Sequence, residues 1–93
     1  SHANSGKNPD NQPAVVEDIA AQLEGGERRI IGVMVESHLV GGRQDPVDGR
    51  ALVYGQSITD GCLGWEASVA VLERLAEAVR RRRALPAERN EAA

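Results

Sequence analysis

An alternating α/β architecture is what this sequence predicts, and three observations carry the prediction. Residues 30–35, Ile-Ile-Gly-Val-Met-Val, form an unbroken apolar run of strand length. A run without alternation marks a strand buried on both faces, as in a parallel sheet. Stretches before and after it carry apolar residues at helical spacing. Polar residues close the strand candidates, with Glu36-Ser37-His38 after the first and Asp60 after the second. Ligands of α/β proteins bind outside the carboxyl ends of strands, so those are the positions at which chemistry is expected.

Taken in order, residues 1–12 have no apolar periodicity and are rich in Asn, Ser, Gly and Pro, which is loop chemistry. Asp10 or Asn11 is expected to cap a helix whose first turn takes Pro13. Val15, Val16, Ile19, Ala20 and Leu23 share one face of it, and Glu17 and Asp18 suit the positive end of its dipole. Gly25-Gly26 end it, and Glu27-Arg28-Arg29 link it to the strand at 30–35. This order reads as the second half of a βαβ unit, with its first strand ending just before Ser1.

Residues 37–55 form a long loop containing Gly41-Gly42, Pro46 and Gly49, and loops of that length are usually functional. Ser57-Ile58-Thr59 is a very short strand candidate that ends at Asp60. A second helix runs from Cys62 or Trp65 to Arg83, with Trp65, Val69, Leu72, Leu75, Ala76 and Val79 as its apolar face. Leu85-Pro86 break it, and residues 84–93 are expected to be a disordered tail. The pattern is (strand)–helix–strand–loop–strand–helix, the last portion of an α/β architecture, closed barrel or open sheet.

The chain has 93 residues, enough for a single small domain, and Trp65 and Tyr54 are its only aromatic side chains. Aromatic residues dominate the burial of most cores, and small domains bury a smaller share of their surface. One partial domain over residues 1–93, belonging to something larger, is the expectation, together with self-association of the isolated chain through faces left uncovered. The first residue is Ser1, not Met, which fits processing or a piece of a longer chain. A net charge of -3 argues against a nucleic-acid or membrane-surface partner. No run approaches the roughly 20 apolar residues of a spanning helix, and the polar N-terminus carries no secretory signal. A single Cys fits a reducing compartment, so a cytoplasmic location is expected.

His2, Glu36 and Asp60 each follow a real or inferred strand, at spacings of 36 − 2 = 34 and 60 − 36 = 24. In a parallel barrel those spacings bring all three to one rim, where an imidazole and two carboxylates suit a divalent metal. From spacing alone a blander reading weighs more: a capping Asp, a Glu paired with an Arg, and a His with no fixed place. His38 could donate a proton near the same rim, though a solvent-facing loop His is the commoner case. Cys62 lies at the start of a helix, but a small buried residue is the preferred reading. Arg80 to Arg83 suit the negative end of a helix dipole better than a nucleic-acid patch. Gly41-Gly42-Arg43-Gln44 lacks the Lys-Ser/Thr of a phosphate loop.

Three blocks together resemble one family. Ser-His-Ala-Asn-Ser at 1–5, Ile-Ile-Gly-Val-Met-Val-Glu-Ser-His-Leu at 30–39 and Tyr-Gly-x-Ser-Ile-Thr-Asp-x-Cys-x-Gly-Trp-Glu at 54–66 look like the C-terminal portion of type I 3-deoxy-D-arabino-heptulosonate 7-phosphate (DAHP) synthase. Order and spacing agree up to about Arg83. The resemblance implies a (β/α)8 TIM barrel, with this chain running from the end of strand 6 to helix 8. It implies condensation of phosphoenolpyruvate with erythrose 4-phosphate, the first step of the shikimate pathway to aromatic amino acids. It also implies a divalent metal (Mn, Fe, Co or Zn) held by a Cys, a His, a Glu and an Asp. By motif match, His2, Glu36 and Asp60 are the last three. The metal would polarise the aldehyde of erythrose 4-phosphate, or a bound water.

The chain departs from the family pattern in several places. The Gly-Pro-Cys that supplies the metal thiolate is not among these residues, and Cys62 matches a different Cys. The Arg and Lys residues implied to bind the phosphates come from earlier strands. Gly61 replaces a common Ala, and Arg43 stands where Asn is frequent. The isolated chain is therefore expected to be inactive and to bind metal weakly. The alternative is a stand-alone interaction or regulatory module that reuses a piece of the barrel.

Overall fold

The computed structural model describes Ser5, Gly6 and residues 8–86. Four elements carry it: helix α1 (Gln12–Glu24), strand β1 (Val40–Arg43), strand β2 (Gln56–Ser57) and helix α2 (Trp65–Arg83). The two helices pack on each other, and the strands pair in parallel, Val40 beside Gln56 and Arg43 beside Ser57. His2 and residues 87–93 of the expected tail lie outside the described residues. Ala84 and Leu85, which begin that tail, close the end of α2 by donating backbone N–H groups to carbonyls of its last turn.

A short 3-10 turn, Pro9–Asn11, leads into α1. Of the two expected caps, Asn11 is the N-cap residue of α1, but it makes no side-chain cap bond and donates from Nδ2 to Ser5 O instead. The side-chain cap serves the 3-10 turn, where the Asn8 carboxamide oxygen accepts from Asp10 N–H at 3.0 Å. Pro13 does occupy the first turn. At the other end Gly26, at φ +102°, takes the left-handed position, with Gly26 N–H bonded to Leu23 O and Glu27 N–H to Gln22 O. That is a Schellman ending, and it explains why the paired glycines stop the helix.

Val16, Ala20 and Leu23 of α1 meet Val71, Leu75 and Ala78 of α2, and Leu63 completes the core. The predicted bounds of α2 hold, but its buried stripe differs from the predicted one. Val71 and Ala78 replace Trp65 and Leu72, each of which is 63% exposed. A helix of this architecture has apolar residues on more than one stripe, and α1 covers only the stripe at 71, 75 and 78. The other stripe, with Trp65, Val69 and Leu72, opens onto a shallow groove beside Ser37–Leu39.

The predicted buried strand at 30–35 is also corrected. Among the described residues this segment joins no ladder, and Ile31 is 95% exposed. Only Ile30 and Val35 pack against the core. An apolar run becomes a buried strand only when neighbouring strands flank it, and here the first pairing comes later, in a parallel bridge between Ser37 and Leu63. The loop expected over 37–55 contains β1 instead, and β2 starts one residue before the predicted short strand. Between them the Gln44 side chain acts as a local staple: Val53 N–H donates to its Oε1 at 2.9 Å, and its Nε2 donates to Val53 O at 2.8 Å.

Candidate functional site

Glu36 follows the apolar run and stands one residue before the Ser37–Leu63 bridge. Its peptide is held from two sides. The Gln12 Nε2 donates to Glu36 O at 3.0 Å, and Glu36 N–H donates to Gln12 Oε1 at 2.9 Å. From the opposite segment Leu63 N–H donates to the same Glu36 O at 2.9 Å. Gln12 is 4% exposed, and Glu36 is half-buried. The pairing is local in origin: Gln12 opens α1 four residues before Val16, so it lies on the buried face with Val16 and Ala20.

Asp60 stands three residues before Leu63 on the segment that bridges to Ser37, and it is exposed. The Cys62 thiol donates to Asp60 O at 3.5 Å. Cys62 is half-buried rather than buried, and it sits in a bridge with Gly42, three residues ahead of α2. His38 is exposed, and its Nδ1 accepts from Leu39 N–H at 2.9 Å. The structure therefore brings the segments bearing Glu36 and Asp60 side by side, with His38 and Cys62 on the same two segments. His2 lies outside the described residues.

Two carboxylates are chemically suited to a hard or borderline divalent ion. Among the described residues, however, no three of His, Cys, Asp and Glu gather closely enough to hold one. The donor set fits a metal only as part of a larger coordination sphere.

The site rests on a charged framework. Arg82 Nη1 on α2 donates to the carbonyls of Glu27 and Ile30, each at 3.0 Å, and so anchors the start of the segment that leads to Glu36. Arg82 is thus more than a solvated helix end, whereas Arg80 and Arg81 do lie exposed, paired with Glu77. The hydrogen-bonded Arg29 guanidinium pulls the Glu27 carboxyl down to about 2. Gln12 goes unnoticed in the sequence, where Arg82 reads only as part of the helix-end run Arg80 to Arg83. The signal for Gln12 was a polar residue on an apolar stripe; Arg82 had none beyond its charge.

Residues 1–73 match the DAHP synthetase I family. The chain belongs to that family. It is 57% identical over 83 residues to a phospho-2-dehydro-3-deoxyheptonate aldolase of Haemophilus influenzae, covering 89% of this chain and 23% of that one. The Phe-sensitive aldolase of the same name from Escherichia coli is 55% identical over 83 residues, at 89% and 24% coverage. A solved phospho-2-dehydro-3-deoxyheptonate aldolase from Francisella tularensis superposes with a TM-score of 0.81 at 48% identity, over 88% of this chain and 24% of that one. DAHP synthases are TIM-barrel enzymes, and this α/β chain spans about a quarter of the length of the relatives it matches. No helix among the described residues is long and apolar enough to cross a membrane.

Proposed function

We propose that this chain supplies the C-terminal part of a DAHP synthase barrel, from the end of strand 6 to helix 8. The whole enzyme, acting in the cytoplasm, condenses phosphoenolpyruvate with erythrose 4-phosphate to DAHP and phosphate at the entry to aromatic amino acid synthesis. The observation that carries this reading is the family match over residues 1–73, which includes His2, Glu36 and Asp60 in one continuous span.

In this reading His2, Glu36 and Asp60 hold a divalent metal (Mn, Fe, Co or Zn), with a thiolate from elsewhere in the barrel. The bound ion supplies Lewis-acid polarisation of the erythrose 4-phosphate aldehyde. This chain's own contribution is placement. The Ser37–Leu63 bridge sets the two carboxylate-bearing segments against each other, and Arg82 and Gln12 fix the two ends of the run from Ile30 to Glu36. The groups expected to bind the two phosphates are not among these residues, so the isolated chain has no turnover.

The test is a segment exchange. The matching part of the Haemophilus influenzae relative is replaced by residues 1–83 of this chain, and DAHP formation is measured with Mn²⁺ present. The expected hybrid is active and loses activity on Glu36→Ala or Asp60→Ala. A folded, Mn²⁺-loaded hybrid that forms no DAHP overturns the proposal.

A further inference from the structure

We infer that Gln12 is the positioning residue for Glu36, clasping its peptide through both polar groups and so fixing the backbone that carries the carboxylate. The inference rests on the reading of Glu36 as a metal ligand.

A Gln carboxamide presents one acceptor and one donor side by side, as a peptide group does. Gln12 uses both on a single residue: its Oε1 takes Glu36 N–H at 2.9 Å, and its Nε2 gives to Glu36 O at 3.0 Å. It thereby acts as a one-residue ladder neighbour to the Glu36 peptide. Leu63 N–H adds a third restraint on Glu36 O from the other side. Upstream, Ile31, Val33 and Met34 are exposed and join no ladder among the described residues, so the restraint seen there is concentrated where the carboxylate begins.

Placing a polar amide on the buried face of a helix costs free energy unless its hydrogen bonds are made. Here both go to Glu36. Gln44 makes the same two-way clasp on Val53, at a half-buried position between β1 and β2, and its Nε2 also donates to Gln56 O at 3.1 Å; none of its side-chain bonds goes to the Glu36 peptide. It therefore serves as a control of like chemistry. A Gln12 that merely glued α1 to the neighbouring segment would change stability and leave ion binding alone. A positioning residue changes ion binding as well, because groups that orient a metal ligand commonly contribute about 10–100-fold to affinity.

The test uses the full, isotope-labelled 93-residue chain. Backbone amide exchange at Glu36 is followed by NMR, and Mn²⁺ alone is titrated while the broadening of the Glu36 and Asp60 resonances is recorded. In Gln12→Met, Glu36 N–H is expected to exchange at least about tenfold faster, and the Mn²⁺ concentration for half-broadening to rise about tenfold or more. Gln44→Leu is expected to leave both unchanged. Gln12→Glu keeps an acceptor for Glu36 N–H and loses the donor, so it stands in should the Met variant not fold, with the same rise expected in the Mn²⁺ requirement. A folded Gln12 variant with altered stability and unaltered Mn²⁺ broadening overturns the inference, provided Glu36→Ala abolishes that broadening. If Glu36→Ala leaves the broadening intact, the ligand reading itself falls, and this inference falls with it.

Discussion

Arg74 Nη1 on α2 donates to Glu24 Oε2 on α1 at 2.6 Å, while its Nε donates to Glu17 Oε2 at 2.9 Å. One guanidinium thus spans two carboxylates seven residues, about two turns, apart on the facing helix. Arg suits this arrangement because its donors are spread over a rigid plane, so a Lys in its place would lose one of the two contacts. The Arg74 hydrogen bonds hold the Glu17 and Glu24 carboxyls below their usual 4.5, and Arg80 and Arg81 do the same to Glu77.

The sign of the resulting pH dependence follows directly. A carboxyl whose value is lower in the folded state than in the unfolded one contributes stability that is fully present above the unfolded value. That stability is lost as pH falls through the folded value. The helix pair should therefore be insensitive to pH above the usual carboxyl value of 4.5 and weaken progressively below it. Urea midpoints across an acid series check this. Arg74→Met is expected to lower the midpoint at neutral pH and to flatten the acid limb, with added salt narrowing the gap between variant and parent.

The core offers a second prediction, since Ala20 and Ala78 are fully buried at the contact between the helices. Small residues there set the distance between helix axes, and a larger side chain has nowhere to go. Ala78→Leu should destabilise by about 1–3 kcal/mol through overpacking. Leu23→Ala, at a site only 3% exposed, should cost about 2–5 kcal/mol through the opposite fault, a cavity. Thermal and urea unfolding monitored by circular dichroism measures both.

The helices were legible in the sequence because their signals are local. Pro13, the Gly25-Gly26 pair and the 3.6-residue spacing act within a few residues of where they are read. What was not legible depended on neighbours. The run at 30–35 has the apolar pattern of a buried strand but no ladder partner among the described residues, and partners are not a property of the run. The buried stripe of α2 was misread because periodicity shows that a helix is amphipathic, not which of two apolar stripes a given neighbour covers. Strand β1 hid in Gly41-Gly42, residues that punctuate loops far more often than they pair. At the candidate site, the types and spacing of Glu36 and Asp60 were readable, but the Gln12 clasp joins residues 24 apart and became visible only in three dimensions.

A third prediction concerns activity. The purified 93-residue chain should show no consumption of phosphoenolpyruvate in the presence of erythrose 4-phosphate and Mn²⁺. On the proposed reading, His2, Glu36 and Asp60 here lack the remaining metal ligand and the phosphate-binding Arg and Lys residues of the earlier strands, so the reacting carbons are not oriented. Release of inorganic phosphate above the background of a Glu36→Ala, Asp60→Ala double variant would contradict it.

The last prediction follows from the uncovered segment. Ile31 at 95%, Met34 at 63% and Val33 at 45% exposure form a continuous apolar edge with no ladder among the described residues. Residues 30–35, four of them β-branched and none charged or Pro, make a template for strand pairing between copies. The isolated chain should therefore self-associate in a concentration-dependent way, visible as a rising weight-average mass in sedimentation. Val33→Lys with Met34→Glu places charge on the edge without touching Ile30 or Val35, which anchor the segment to the core. That double variant should sediment as a monomer with its helices intact. A parent chain that stays monomeric at high concentration would show that this edge is protected in solution.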